Sequence, residues 1–222
     1  MNKKTRAYEE LKRRIINLEF PPGSPMNEAE VALLIGVSKT PLREALTQLE
    51  RDGLVENVRG RGSNITQITA FDVENVLQIR EIIESGVARR IAAAGGTPVL
   101  IRERDSMDAL LDEDDLDGNI FEWGSHEDIH QILVEALGND LLTQTYQGLM
   151  DRIGRIRNYY GDRFTRRRKH DIVTEHLAIL DAVIGGNADL AEARMSTHLQ
   201  NARSFLGGLN EIPMGVNVWS MS

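Results

Sequence analysis

The sequence predicts a mainly α-helical protein in two parts, an N-terminal winged helix-turn-helix over residues 1–68 and an all-α antiparallel bundle of about six helices over residues 69–222. Three observations carry this. Residues 27–55, NEAEVALLIGVSKTPLREALTQLERDGLV, combine the start and stop signals of two short helices with one glycine turn. Two β-rich runs, Leu54–Val58 and Ser63–Ile68, flank Arg59-Gly60-Arg61-Gly62 at hairpin length. Beyond residue 68 helical periodicity recurs between Gly, Pro and Asn breaks, with no strand-like alternation and no internal repeat.

Taken in order, Ala7, Leu11, Ile15 and Leu18 mark an amphipathic helix from about Thr5 to Leu18, ended by Phe20-Pro21-Pro22-Gly23. The next helix starts at Asn27, an N-cap whose capping-box partner is Glu30, with Val31 and Leu34 on its buried face. Gly36 supplies the turn. Ser38 or Thr40 caps the following helix, Pro41 falls in a first turn that needs no amide donor, and the helix runs to about Arg51. Leu42, Ala45, Leu46 and Leu49 form its buried stripe.

The opposite face of that helix carries Lys39, Arg43 and Thr47 at four-residue spacing. A helix fits the major groove of DNA, and an arginine fork satisfies two acceptors of one guanine. The two arginines of the hairpin tip suit phosphate or minor-groove contact. A solvated helix and a solvated turn are the plain alternatives; the wing directly after the helix pair favours DNA.

At Pro22-Gly23, Ile35-Gly36-Val37-Ser38-Lys39-Thr40-Pro41-Leu42-Arg43-Glu44-Ala45-Leu46 and Gly53-Leu54-Val55 the chain resembles the GntR family of bacterial transcription regulators. The resemblance implies DNA contacts from Ser38, Lys39, Thr40 and Arg43, and from Arg61-Gly62 at the wing tip. Lys39 stands where relatives carry arginine and lacks its fork geometry; Ala29 replaces a phosphate-binding arginine of many relatives.

The 222 residues hold 41% hydrophobic and 27% charged residues, ordinary for a soluble globular protein. No apolar run approaches a membrane span and the polar, basic start lacks a signal-peptide core, so a cytoplasmic location is expected, with no membrane partner. The lack of cysteine excludes disulfides, thiolate metal sites and a cysteine nucleophile. The net charge of −8 is unevenly spread: residues 1–68 hold 11 basic against 9 acidic residues, net +2, and residues 69–222 hold 15 against 25, net −10. One weakly basic head is a poor DNA binder alone. A homodimer reading a double-stranded operator with two half-sites is therefore expected.

In the second part, Val76, Arg80, Ile83 and Val87 share a face of a helix reaching about Ala94; Gly95-Gly96 ends it and Thr97-Pro98 starts another to about Leu111. The acidic segment 112–119 places Glu113, Asp115, Asp117 and Gly118 at calcium-loop positions one, three, five and six, but Gly124 stands where the bidentate Glu belongs, so a solvated loop is expected. Helices follow at about Ile120–Leu137, Asp140–Tyr160, Thr165–Ile184 and Ala188–Leu206. Arg166-Arg167-Arg168-Lys169 reads as a solvated helix start, and the tail Gly207–Ser222 shows no periodicity.

Four of the five histidines fall among apolar residues of these helices: His126 and His130 at i,i+4, His176 with Leu180 and Ile184, His198 with Met195 and Ala202. A single core histidine is ordinarily just hydrogen-bonded. Four unpaired imidazoles cost desolvation with no return, whereas one first-row divalent ion, zinc or nickel, satisfies them together.

Here the chain resembles the FadR branch of the GntR regulators and its FCD ligand-sensing domain, through residues 130–139 (HQILVEALGN), 175–182 (EHLAILDA) and 193–199 (ARMSTHL). The resemblance implies a divalent ion held by His130, His176 and His198, with His126 in place of the family's Asp. It also places Arg80, of an Arg-x-x-x-Glu pattern completed by Glu84, near a small organic acid effector, although an Arg80–Glu84 ion pair accounts equally well for the spacing. Asn201, one turn after His198, is a further pocket residue. The expected function is a metabolite-responsive, sequence-specific repressor without catalytic activity. A direct metal sensor and a helical metalloenzyme are the alternatives.

Overall fold

The computed structural model describes residues 2–58, 62–112 and 128–210. The chain divides into two compact units, one of residues 1–69 and 145–161 and the other of residues 70–144 and 162–222.

The first unit begins with α1, Lys3–Ile16, whose N-terminus is capped by the Asn2 side chain accepting from the amide of Thr5. A short strand β1, Pro25–Met26, leads to α2, Glu28–Ile35. Asn27 caps α2 by accepting from the amides of Ala29 and Glu30, and its side-chain amide donates to Glu30 Oε1 at 2.8 Å, a side-chain version of the expected capping box. Gly36 closes α2 at φ 68°, a left-handed conformation that costs a residue with Cβ about 1–2 kcal/mol. α3 spans Lys39–Arg51 with Ser38 in the extended N-cap conformation, though the Ser38 hydroxyl makes no capping bond.

Strands β2, Val55–Val58, and β3, Gly62–Ile65, form the antiparallel wing, and β1 adds to the far edge of β3 with Pro25 opposite Asn64 and Met26 opposite Ser63. The sheet order is β1-β3-β2. Ala7, Leu11 and Ile15 of α1, Leu42, Ala45 and Leu49 of α3, and Ile65 of the wing are fully buried in one core. Each large aliphatic side chain so buried contributes about 1.5–3 kcal/mol. On α2 the buried stripe is Val31, Ala32 and Ile35; Leu34, expected inside, is 56% exposed because it falls one position off that stripe.

Residues 145–161 pack with this head. They belong to α7, Asp140–Tyr160. Lys12 pairs with Asp151 at 2.6 Å, Arg152 donates to the carbonyl of Asp52 at 2.8 Å, Asn158 donates to the carbonyl of Ile16 at 2.8 Å, and Arg155 donates to the Thr66 hydroxyl at 2.7 Å and to the Thr66 carbonyl. The carbonyl partners at 16 and 52 lie at the ends of α1 and α3, where the last carbonyls of a helix lack internal donors. Gly53, at φ 73°, lies against Arg152: a Cβ there would fall 2.2 Å from its Nη2.

The second unit holds α4, Ala70–Ala93; α5, Pro98–Asp112; α6, Ile129–Ala136; the first residues of α7; α8, Arg166–Ile184; and α9, Ala188–Asn210. With α7 these make the six helices expected after the wing, among the described residues. α9 outruns its expected end at Leu206 by four residues, entering the segment that showed no periodicity. Of the expected helix from Ile120 to Leu137, residues 120–127 lie outside the described residues; α6 starts at Ile129, where Asp128 is extended and its carboxylate accepts from the amide of His130. His126, the acidic segment 113–119 and Arg61 lie outside the described residues.

Gly53→Ala is expected to destabilise the protein by about 1–2 kcal/mol through its left-handed backbone alone, and to displace Arg152. Denaturant unfolding checks this; a change within experimental error would show that the Arg152 contact and the backbone both relax freely.

Candidate nucleic-acid interface and metal centre

Ser38, Lys39, Thr40, Arg43 and Thr47 are all exposed on α3, because Leu42, Ala45, Leu46 and Leu49 turn the other face inward. Arg43 donates from Nε to Glu28 Oε2 at 3.0 Å, and Thr47 donates its hydroxyl to the carbonyl of Arg43 at 2.9 Å. An exposed ion pair of this kind is worth little and is readily exchanged for a base or phosphate. Gly62, at φ 84°, begins β3 on the wing.

In the second unit, α6, α8 and α9 bring His130, His176 and His198 together, each buried, with one ligand atom apiece all within 4.8 Å of one another. Ring centroids are separated by 5.0 Å (His130–His176), 5.1 Å (His130–His198) and 4.6 Å (His176–His198). The Nε2 atoms of His176 and His198 are 3.3 Å apart. Two nitrogen donors on a tetrahedral zinc, with bonds of about 2.0–2.1 Å, would be separated by about 3.3 Å. His130 Nε2 is buried without a hydrogen-bond partner among the described residues, the orphan expected of a ligand atom. The donor set fits a borderline divalent ion.

Carboxylates surround the cluster. Glu84 of α4 is 1% exposed and lies 2.7 Å from His130 Nδ1, an ion contact in which the ring N–H is poorly aligned. It also accepts from Arg80 Nε at 2.6 Å and Nη2 at 3.3 Å. Glu175 of α8 lies 2.6 Å from His198 Nδ1 and accepts from Arg168 and from Asn201 Nδ2, each at 2.9 Å. Burial pushes both carboxyls up, but Arg80 and His130 at Glu84, and His198 and Arg168 at Glu175, outweigh it and bring each down to about 2. Burial takes His198 down to about 4, partly opposed by Glu175. Its imidazole is therefore neutral at pH 7, the form that binds a metal.

Of the residues read from the sequence, the structure brings together His130, His176 and His198, and sets Arg80 and Asn201 against carboxylates beside them. Glu175 and Arg168 were missed. Nothing in their spacing marked them: Glu175 is one acidic residue beside a histidine, and Arg168 belongs to a basic run yet lies over the Phe205 ring at 5.6 Å and pairs with Glu175.

A head with an exposed polar recognition helix and a wing defines a DNA-binding regulator. Sequence comparison places the chain: residues 3–65 match bacterial regulatory proteins of the gntR family and residues 75–201 match the FCD domain, so it belongs to the GntR family, in the FadR-like branch that carries an FCD domain. It is 30% identical over 199 residues to YdhC, an HTH-type transcriptional regulator of Bacillus subtilis (strain 168), covering 87% of this chain and 86% of that one. It is 30% identical over 196 residues to the HTH-type transcriptional repressor RspR of Escherichia coli (strain K12), covering 87% and 84%. Among solved structures, a GntR transcriptional regulator of Rhodococcus sp. RHA1 superposes with a TM-score of 0.73 over 93% of this chain and 99% of that one, at 22% identity. These relatives are regulators of transcription and not enzymes, and no helix among the described residues is long and apolar enough to cross a membrane.

The metal-free protein should lose stability in two stages as it is acidified. Between pH 6.5 and about 4 the unfolded chain protonates His198 while the folded one does not, so stability falls with falling pH. The stabilisation from Glu84 and Glu175, complete above 4.5, is then lost toward about pH 2. Melting temperatures measured in chelator across this range check the sign; a flat profile from pH 7 to 4.5 would contradict it.

Proposed function

We propose that the protein is a metabolite-responsive repressor acting in the cytoplasm as a homodimer on a double-stranded operator with two half-sites. Its FCD domain holds one divalent ion, zinc or nickel, and a small organic acid effector binds there. The observation that carries this reading is the buried triad of His130, His176 and His198 with its three converging ligand atoms. His126 is proposed as the fourth ligand. A metal bound at the triad supplies a Lewis-acidic positive centre for the effector carboxylate. Arg80 and Asn201 are proposed to shape effector response from beside it, and Ser38, Lys39, Thr40, Arg43, Thr47, Arg61 and Gly62 to meet DNA. Repression is the sign named for the relative RspR. Two heads, each of net +2, share the phosphate contacts that one head makes too weakly.

A second reading, a direct metal sensor, uses the same triad and differs in what releases DNA. Elemental analysis of protein purified without a nickel column, followed by screening of small carboxylates by thermal shift with and without metal, separates the two. Metal near one ion per chain plus a metal-dependent carboxylate shift supports the metabolite reading. Metal-dependent operator binding with no carboxylate effect supports the sensor. Metal well below one per chain with no uptake would overturn both.

His176→Ala and His198→Ala should each abolish stoichiometric metal while operator binding by the folded head persists. Arg43→Ala should cost roughly 1–3 kcal/mol of operator affinity and relax preference at one position per half-site, whereas Lys39→Ala should lower the slope of log affinity against log salt by about one unit. Binding isotherms over a salt series, on the operator and its single-base variants, check both; unchanged affinity for Arg43→Ala would remove α3 as the reader.

A further inference from the structure

Two histidines of the triad stand between a carboxylate and the shared centre. His198 Nδ1 is 2.6 Å from Glu175 Oε2, and His130 Nδ1 is 2.7 Å from Glu84 Oε2. Each carboxylate is itself held from behind. Glu175 Oε1 accepts from Arg168 Nη1 and Asn201 Nδ2, with Arg168 Nη2 3.4 Å from Oε2; Glu84 accepts from Arg80 Nε and Nη2. The Glu84 contact is close but poorly aligned, so neither ring nitrogen of His130 makes a well-formed hydrogen bond among the described residues, and His198 Nε2 is 3.3 Å from His176 Nε2.

We propose that Glu84 and Glu175 are positioning residues that hold the protons of His130 and His198 on Nδ1, so that both rings present Nε2 lone pairs to the centre, with Arg80, Arg168 and Asn201 anchoring the two carboxylates. This rests on the metal reading for its purpose and extends it to residues outside the ligand set. An ionised carboxylate only accepts, so the ring nitrogen facing it carries hydrogen and the other nitrogen of a neutral imidazole carries the lone pair. His198 Nε2 is then an acceptor, and its 3.3 Å contact makes His176 Nε2 the donor. The triad is thus unequal. His130 and His198 are set in the binding tautomer, whereas His176 must move its proton from Nε2 to Nδ1 before its Nε2 can meet a cation.

The test is ring-nitrogen NMR of the full chain labelled with 15N-histidine, first in chelator and then titrated with zinc. Metal-free wild type should show Nδ1–H for His130 and His198 and Nε2–H for His176, and zinc should convert His176 to Nδ1–H. In Glu175→Gln the amide oxygen stays with the Arg168 and Asn201 donors, which turns the NH2 toward His198; His198 should invert to Nε2–H, His176 to Nδ1–H, and zinc affinity should fall by about 10–100-fold. Glu84→Gln should invert His130 for the same reason, and Glu175→Asp should keep the wild-type tautomers. Nε2–H on His198 of the wild type, or unchanged tautomers in both Gln variants, would overturn the proposal whether or not zinc binds. The expected tautomers without zinc uptake would support the positioning role and overturn the metal reading instead.

Discussion

A carboxylate buried in a helical core must be surrounded by donors, and Glu84 is where the second unit meets that demand. At 1% exposure it draws a guanidinium from its own helix and an imidazole from α6, which ties α4 to the start of α6 through charge as well as through apolar packing. Removing one partner of such a buried pair leaves a naked charge and costs about 3–5 kcal/mol, whereas the intact pair offers little net stability. Its value is directional. Apolar residues could fill the same volume, but they would leave His130 without a carboxylate beside its Nδ1.

The same logic recurs at lower burial around Glu175, whose three donors come from two helices: Arg168 earlier on α8, and Asn201 and His198 on α9. The two carboxylates approach the triad from different helices. The centre is consequently defined by α4, α6, α8 and α9 together, so a shift of any one helix alters the positions of ligand atoms.

Much of the fold was legible because its signals are local. Helix starts at Asn27 and Pro98 are stated by capping and first-turn chemistry, and the buried stripes of α1 and α3 by 3.6-residue spacing. The two-residue strand β1 was not legible: it is too short to show alternation and exists because β3 offers it an edge. The helix start after Asp128 was hidden because an Asp off the apolar stripe reads equally as a surface residue and as a cap. At the site, three histidines could be assigned from apolar surroundings and family resemblance. Their orienting carboxylates could not, since which acidic residue turns inward depends on helices distant in sequence, as with Glu84 for His130 and Glu175 for His198. Arg168 was misread for a related reason: its place in a basic run says nothing of the Glu175 carboxylate that it meets two turns along its own helix.

The packing of residues 145–161 against the head bears on how such regulators diversify. Lys12 and the carbonyls of Ile16, Asp52 and Thr66 find their partners on α7, far along the chain from the wing. The reading head is therefore not a detachable cassette. Recombination at the seam after residue 69 would deliver a head whose polar docking patch meets side chains chosen for another partner, so an exchange of heads between relatives must carry residues 145–161 along with it.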